Sequence, residues 1–205
     1  MKGSTLRVYL CGSIKKGKED TRSDFWTAED IHELKAAVSP CELIVLNPGE
    51  RQDNLSDVKA TFGRDLLQVF TSDAILVDAR HRRGVGVGAE MLFAKIHGIP
   101  VITVAPPNSH YHRSNVTLMG QFVEDWTHPF ISELSDHVVG NVTDAARVAA
   151  SLDTPRNGKG PEVFENAMRY YLKTQVDREP DMVSLLTRGD GVPSRAAGLL
   201  YTAGL

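Results

Sequence analysis

Hydrophobic positions along this chain alternate between two patterns. Leu6–Cys11, Glu42–Leu46, Ala74–Val77 and Val101–Val104 are short, apolar and β-capable, and each predicts a buried strand. Asp136–Val139 predicts a shorter strand at a sheet edge. Between these runs, apolar residues recur at helical spacing. Phe25, Trp26, Ile31, Leu34 and Val38 form one stripe, capped by Ser23 or Asp24 and ended by Ser39-Pro40. Val58, Phe62, Leu66, Val69 and Phe70 form a second, running from Ser56 or Asp57 to Thr71, and Met91, Leu92, Phe93 and Ile96 form a third, stopped by Gly98-Ile99-Pro100. A polar loop at 105–115, a short helix over Asn115–Val123, a break at Asp125–Pro129, a helical turn at Phe130–Leu134 and a helix over Asp144–Leu152 complete the pattern. Strands alternating with helices predict right-handed crossovers. The expected fold is therefore α/β, a doubly wound, flavodoxin/Rossmann-like parallel five-stranded sheet in the order 2-1-3-4-5 over residues 1–152. Residues 153–160 read as a linker, and the rest of 153–205 as a helical C-terminal extension. In it Pro161–Val176 carries an apolar stripe, Pro180 and Pro193 divide the tail, and Leu199–Tyr201 is apolar. So short a tail needs a surface to pack on.

Composition narrows the partners. The 205 residues carry a net charge of −3 with 24% charged and 41% hydrophobic positions, an ordinary globular balance. Without a basic excess, neither nucleic acid nor a membrane surface is an expected partner. No apolar run reaches the roughly 18 residues of a membrane span, and the first residues lead into a strand instead of a signal-peptide core, so a cytoplasmic protein is expected. Cys11 and Cys41 read as small core residues. His110, His112 and His128 lack metal-ligand spacing, and neither a metal nor a cofactor is implied.

One stretch concentrates the chemistry. Asp73–Asp78 leads through Ala79-Arg80-His81-Arg82-Arg83 into Gly84-Val85-Gly86-Val87-Gly88-Ala89-Glu90, which reads as a strand, a glycine-rich loop and a helix whose first turn presents Glu90. Ligands of open α/β sheets collect at such strand exits. The first strand exits through Gly12-Ser13-Ile14-Lys15-Lys16-Gly17-Lys18, suited to an anion, and the second through Asn47-Pro48-Gly49-Glu50-Arg51, placed to touch the far end of the same ligand. Taken alone, each of these is equally a solvated turn or a dipole-complementing glutamate.

Three segments together resemble a known family. Val8–Asp20 resembles the opening of the 2'-deoxynucleoside 5'-phosphate N-hydrolases. Gly86-Val87-Gly88-Ala89-Glu90 is similar to the Gly-Val/Leu-Gly-x-Glu signature of the wider nucleoside 2-deoxyribosyltransferase family, and Arg64-Asp65-Leu66 resembles its Asp-Leu before the strand. The resemblance covers residues 6 to about 140. It implies Glu90 as the nucleophile that attacks C1' of the sugar, Tyr9 as the phenol that orients it, and Asp65 as the carboxylate that faces sugar and leaving base and assists protonation. It implies further that the Gly12–Lys18 loop holds a 5'-phosphate, and that Ser114 and Asn115 reach a neighbouring subunit's site in a homodimer.

The chain departs from that pattern at Gly84, where the hydrolases carry a phosphate-contacting Ser and the transferases a base-contacting Asp. One of Arg80, Arg82 and Arg83 is expected to replace the contact, since guanidinium binds phosphate oxygens in pairs. The function expected is N-glycosidic cleavage of a (deoxy)nucleoside 5'-monophosphate. Deoxyribosyl transfer between bases and a non-catalytic nucleotide-binding module are the alternatives. The cytokinin-activating phosphoribohydrolases share the Cys-Gly-Ser opening, but their Pro-Gly-Gly-x-Gly-Thr run is replaced here by Arg83-Gly-Val-Gly-Val-Gly-Ala-Glu90.

Overall fold

The computed structural model describes residues 5–15, 20, 24–153, 157–187 and 196. The chain divides into two compact units, 1–160 and 161–205. In the first unit, β1 (Thr5–Cys11), β2 (Glu42–Leu46), β3 (Ala74–Asp78), β4 (Val101–Val104) and β7 (His137–Val139) form one parallel sheet in the order β2-β1-β3-β4-β7. This is the expected five-stranded α/β arrangement. Helices α1 (Ala28–Ala37) and α5 (Val142–Ser151) pack side by side, as do α2 (Val58–Phe70) and α3 (Val85–Ile96). Burial from both sides explains why the central strands read as continuous apolar runs, with every residue of β3 buried. Within β1 the alternation still sorts residues. Leu6, Val8 and Leu10 join Leu34 and Ala145 in one cluster, which leaves Tyr9 and Cys11 on the opposite face.

Three local expectations are corrected. Helix α1 starts at Ala28, because Thr27 and Asp30 form a reciprocal capping box that outcompetes Ser23 or Asp24 as the start. Phe25 and Trp26 therefore precede the helix, and Phe25 bridges to Ser13 beside β1. The glycine-rich segment is helical: α3 runs from Val85 with Gly84 as its cap, so Gly86 and Gly88 belong to the helix and Glu90 stands beyond its first turn. The expected helix over Asn115–Val123 is a hairpin of β5 (His112–Leu118) and β6 (Gln121–Thr127). Its two-residue connection, Met119-Gly120, has φ of 47° and 82°, the left-handed pair of a tight hairpin turn. After it come α4 (Pro129–Leu134) and β7.

The segment read as a linker is fastened to the first unit where it is described. Gly158 N–H donates to the Gly98 carbonyl at 2.8 Å, and Lys159 N–H to Asp136 Oδ1 at 2.6 Å. Asp136 also accepts from Val101 N–H at 2.7 Å and pairs with the fully buried Lys95. The second unit contains α6 (Glu162–Thr174), a single 3-10 turn over Val176–Arg178 and α7 (Pro180–Thr187). Pro193 and Leu199–Tyr201 lie outside the described residues.

Gly158 offers a test of this fastening. A Cβ built there would stand 2.8 Å from Pro100 Cα, closer than side chains tolerate, so backbone has to move. Gly158→Ala is expected to destabilise the protein by about 1–3 kcal/mol in urea unfolding.

Candidate active site

The site forms where β1 and β3 end against α3. Tyr9, fully buried on the α3 side of the sheet, donates its phenol hydrogen to Glu90 Oε1 at 2.9 Å. Cys11, two residues further along the same face, donates its thiol hydrogen to the Val87 carbonyl at 3.8 Å. Strand periodicity thus turns both side chains toward α3, Tyr9 onto the acid and Cys11 onto the helix backbone. Burial pushes the Glu90 carboxyl above the ordinary glutamate range; the nearby Cys11 thiol and the Tyr9 hydrogen bond pull it down, and the charge of Asp65 pushes it up again. Burial, followed by Glu90, raises both Tyr9 and Cys11 well above their ordinary values, so each stays protonated as a donor.

Glu90 faces a cavity of about 450 Å³. Gly12, Ser13 and Ile14 from the β1 exit, Asp65 from α2 and Gly84 and Gly86 from the start of α3 share its wall with Glu90. These are residues from three segments that the sequence reading linked to one ligand. Gly84 and Gly86 have no atom within 4 Å of a built Cβ and no positive φ, so what their lack of a side chain provides is room.

Other expected residues stand elsewhere. Asn47 does not line the cavity; its side chain organises its own turn, accepting from Gly49 N–H at 2.9 Å and donating to Glu50 at 3.3 Å. Lys15 is exposed, with its ammonium 5.8 Å from the Phe25 ring centre. Ser114 and Asn115 are exposed on β5, away from this cavity. Lys16, Gly17 and Lys18 lie outside the described residues.

The three arginines before Gly84 separate by role. Arg80 donates to both oxygens of Asp30 at 2.8 and 2.9 Å and to Asp78 at 2.9 Å, while its guanidinium lies 5.3 Å over the Trp26 ring. Arg83, with a side chain 3% exposed, donates to Ser13 Oγ at 2.9 Å, to the carbonyls of Asp78 and Asp24, and pairs with the Asp78 carboxylate. Arg82 alone is exposed on the cavity wall, and it makes no hydrogen bond or ion pair with a described residue. Pro48 of the β2 exit also lines the cavity, as does Asp24, which the sequence marks only as a candidate cap. Asp24 looks like a helix cap in sequence, and its partner Arg83 is 59 residues away, so no local pattern reveals it.

A second cavity of similar volume runs along α3 beside Tyr111, His128 and Phe130. It shares Gly84, Val85 and Val87 with the first but has no carboxylate in its wall. Among the described residues, no group of three or more His, Cys, Asp or Glu is arranged to hold a metal ion, and no helix is long and apolar enough to cross a membrane. No protein-family model matches the chain, and no curated protein matches it significantly.

The Glu90 environment sets a sign for stability. A carboxyl whose value is raised on folding holds its proton more tightly in the folded state, so stability is lost as pH rises from the ordinary value of 4.5 through the raised one. Glu90→Gln keeps an acceptor for Tyr9 without the charge. Its Tm should match wild type below that range and exceed wild type at neutral pH, a gap read by thermal unfolding across pH.

Proposed function

We propose that this chain is an N-glycosidase cleaving the base–sugar bond of a (deoxy)nucleoside 5'-monophosphate through a covalent glycosyl–Glu90 intermediate. The observation that carries this reading is the Glu90 carboxyl, held by Tyr9 on the wall of a cavity that Asp65 and the β1 exit also line. The resemblance to the nucleoside 2-deoxyribosyltransferase family supports it at the same residues. Breaking an N-glycosidic bond develops oxocarbenium character at C1', which an adjacent carboxylate stabilises and then captures. A Glu90–C1' bond forms as the C1'–N bond breaks, the base leaves with the bonding electrons and takes up a proton, and water then releases sugar 5-phosphate and restores the carboxylate. Tyr9 keeps the attacking oxygen oriented. Because the phenol donates to the charged form, it also offsets part of the burial that disfavours ionisation.

Arg82 is suited to the 5'-phosphate. It is the arginine left over once Arg80 and Arg83 have paired with carboxylates, and it stands on the same cavity wall as Gly84. A charge-assisted hydrogen bond contributes about 1.5–3 kcal/mol. Ser114 and Asn115, exposed on the hairpin, are open to approach a second copy of the chain, in keeping with a homodimer.

Base release from ribo- and deoxyribonucleosides and their 5'-monophosphates, followed by chromatography, tests the reading. Wild type should cleave a monophosphate, and Glu90→Ala should lower the rate by about 10³-fold or more. Equal release by both would overturn the role of Glu90. Release only after a second base is added would identify a transferase, and no release from any compound would point to a binding module. Arg82→Gln should reduce kcat/KM for the monophosphate by roughly 10- to 150-fold while leaving that for the nucleoside unchanged. Tyr9→Phe should move the acid limb of the kcat/KM profile to higher pH, since it removes a donor that favours ionised Glu90.

A further inference from the structure

Asp65 and Glu90 stand in the wall of one cavity. Two carboxylates on one cavity wall repel each other, and the charge of Asp65 pushes the Glu90 carboxyl upward. A carboxylate nucleophile has to be ionised to attack. The groups around the pair are therefore decisive. Tyr9 of β1 donates to Glu90, Cys11 of β1 donates to the Val87 carbonyl one turn before it, and Asp24 and Arg82 lie elsewhere on the wall. Asp65 is met from behind by two arginines. Arg51, in the segment between β2 and α2, donates from Nη1 to Oδ2 at 3.3 Å, and Arg64 of α2 donates from Nη1 to Oδ1 at 3.0 Å.

Arg51 is built in to do this. Its side chain is 8% exposed and does not line the cavity. Asp53 grips its other edge through Nε at 2.8 Å and Nη2 at 2.7 Å, a paired contact that sets the plane of the guanidinium. Arg64 is tethered in turn to the Glu50 carbonyl at 2.9 Å. We infer that Arg51 is a positioning residue that fastens Asp65 and offsets its charge, so that Asp65 disfavours the ionised form of Glu90 less than an unpaired carboxylate on the same wall would. This rests on the reading of Glu90 as nucleophile. With a guanidinium donor on each oxygen, Asp65 is held on the cavity wall with its remaining acceptor lone pairs left to a water or substrate group.

The measurement is a ¹³C carboxyl NMR titration of Glu90, assigned by its loss in Glu90→Gln, in wild type, Arg51→Gln, Asp65→Asn and the double variant. Arg51→Gln should move the Glu90 titration to higher pH by roughly half a unit, the scale of a partly screened neighbouring charge. Asp65→Asn should move it to lower pH, and adding Arg51→Gln to that background should produce no further shift, because Arg51 acts through Asp65. Arg51→Lys, which keeps the charge but not the fork, should lie nearer wild type. If Arg51→Gln does not fold, Arg51→Lys with and without Asp65→Asn makes the same comparison. An unmoved titration in Arg51→Gln, or a shift that persists in the Asp65→Asn background, overturns the inference. The acid limb of kcat/KM for base release should follow the same order. The NMR pattern without any base release would sink the catalytic reading and leave the arginine clamp standing; base release with an unmoved titration would do the reverse.

Discussion

The site depends on one buried carboxylate. Asp78 ends the central strand β3 with its side chain fully buried, and it holds Arg80 and Arg83 together. A charge so placed is tolerable only when paired and hydrogen-bonded, and removing one partner of such a pair typically costs about 3–5 kcal/mol. The partners are what make it architectural. Through Arg80, Asp78 is joined to Asp30 in the first turn of α1. Through Arg83 it reaches Ser13 after β1 and Asp24 before α1. One strand end therefore fixes the positions of loops that share no sequence neighbourhood.

That network also explains the division of labour among Arg80, Arg82 and Arg83. The chain turns sharply after Asp78, whose Oδ1 accepts from the Arg80 backbone N–H at 3.0 Å. Arg80 and Arg83 are thereby directed inward onto carboxylates, and Arg82 faces outward beside Gly84. The backbone of Arg83 is fixed as well, its N–H donating to the phenol oxygen of Tyr111 at 2.9 Å.

The sheet was legible because the central strands β3 and β4, covered on both faces, must be apolar throughout, and the edge strands β2 and β7, though less buried, also stand where short apolar runs placed them. The hairpin was not. Val116, Thr117, Phe122 and Val123 are good strand residues, but Met119-Gly120 is not a familiar turn pair, and the apolar spacing around it mimics a helix. The start of α3 was missed because Gly86 and Gly88 argue against a helix at about 1 kcal/mol each, a penalty that buried Val87 and Met91 offset by packing. At the site, Tyr9, Asp65, Glu90 and the Gly12–Ile14 exit could be read from motifs and strand ends. The role of Arg51 could not: it stands in the β2 exit that the strand pattern points to, but its contact with Asp65 spans 14 residues from a loop to the far half of a helix, and no local spacing marks it.

The glycines that open α3 leave an unusual freedom. Gly84, Gly86 and Gly88 all lack a neighbour within 4 Å of a built Cβ, and none has the left-handed backbone that excludes side chains. Side chains can therefore be added there one at a time without disturbing the chain path, with a gain in intrinsic helix preference within α3 and a loss of empty volume beside it. Ligand size and helix stability are coupled in opposite directions at these positions, so selection for a roomier binding partner keeps the helix end weak, and selection for a sturdier helix narrows what the cavity accepts.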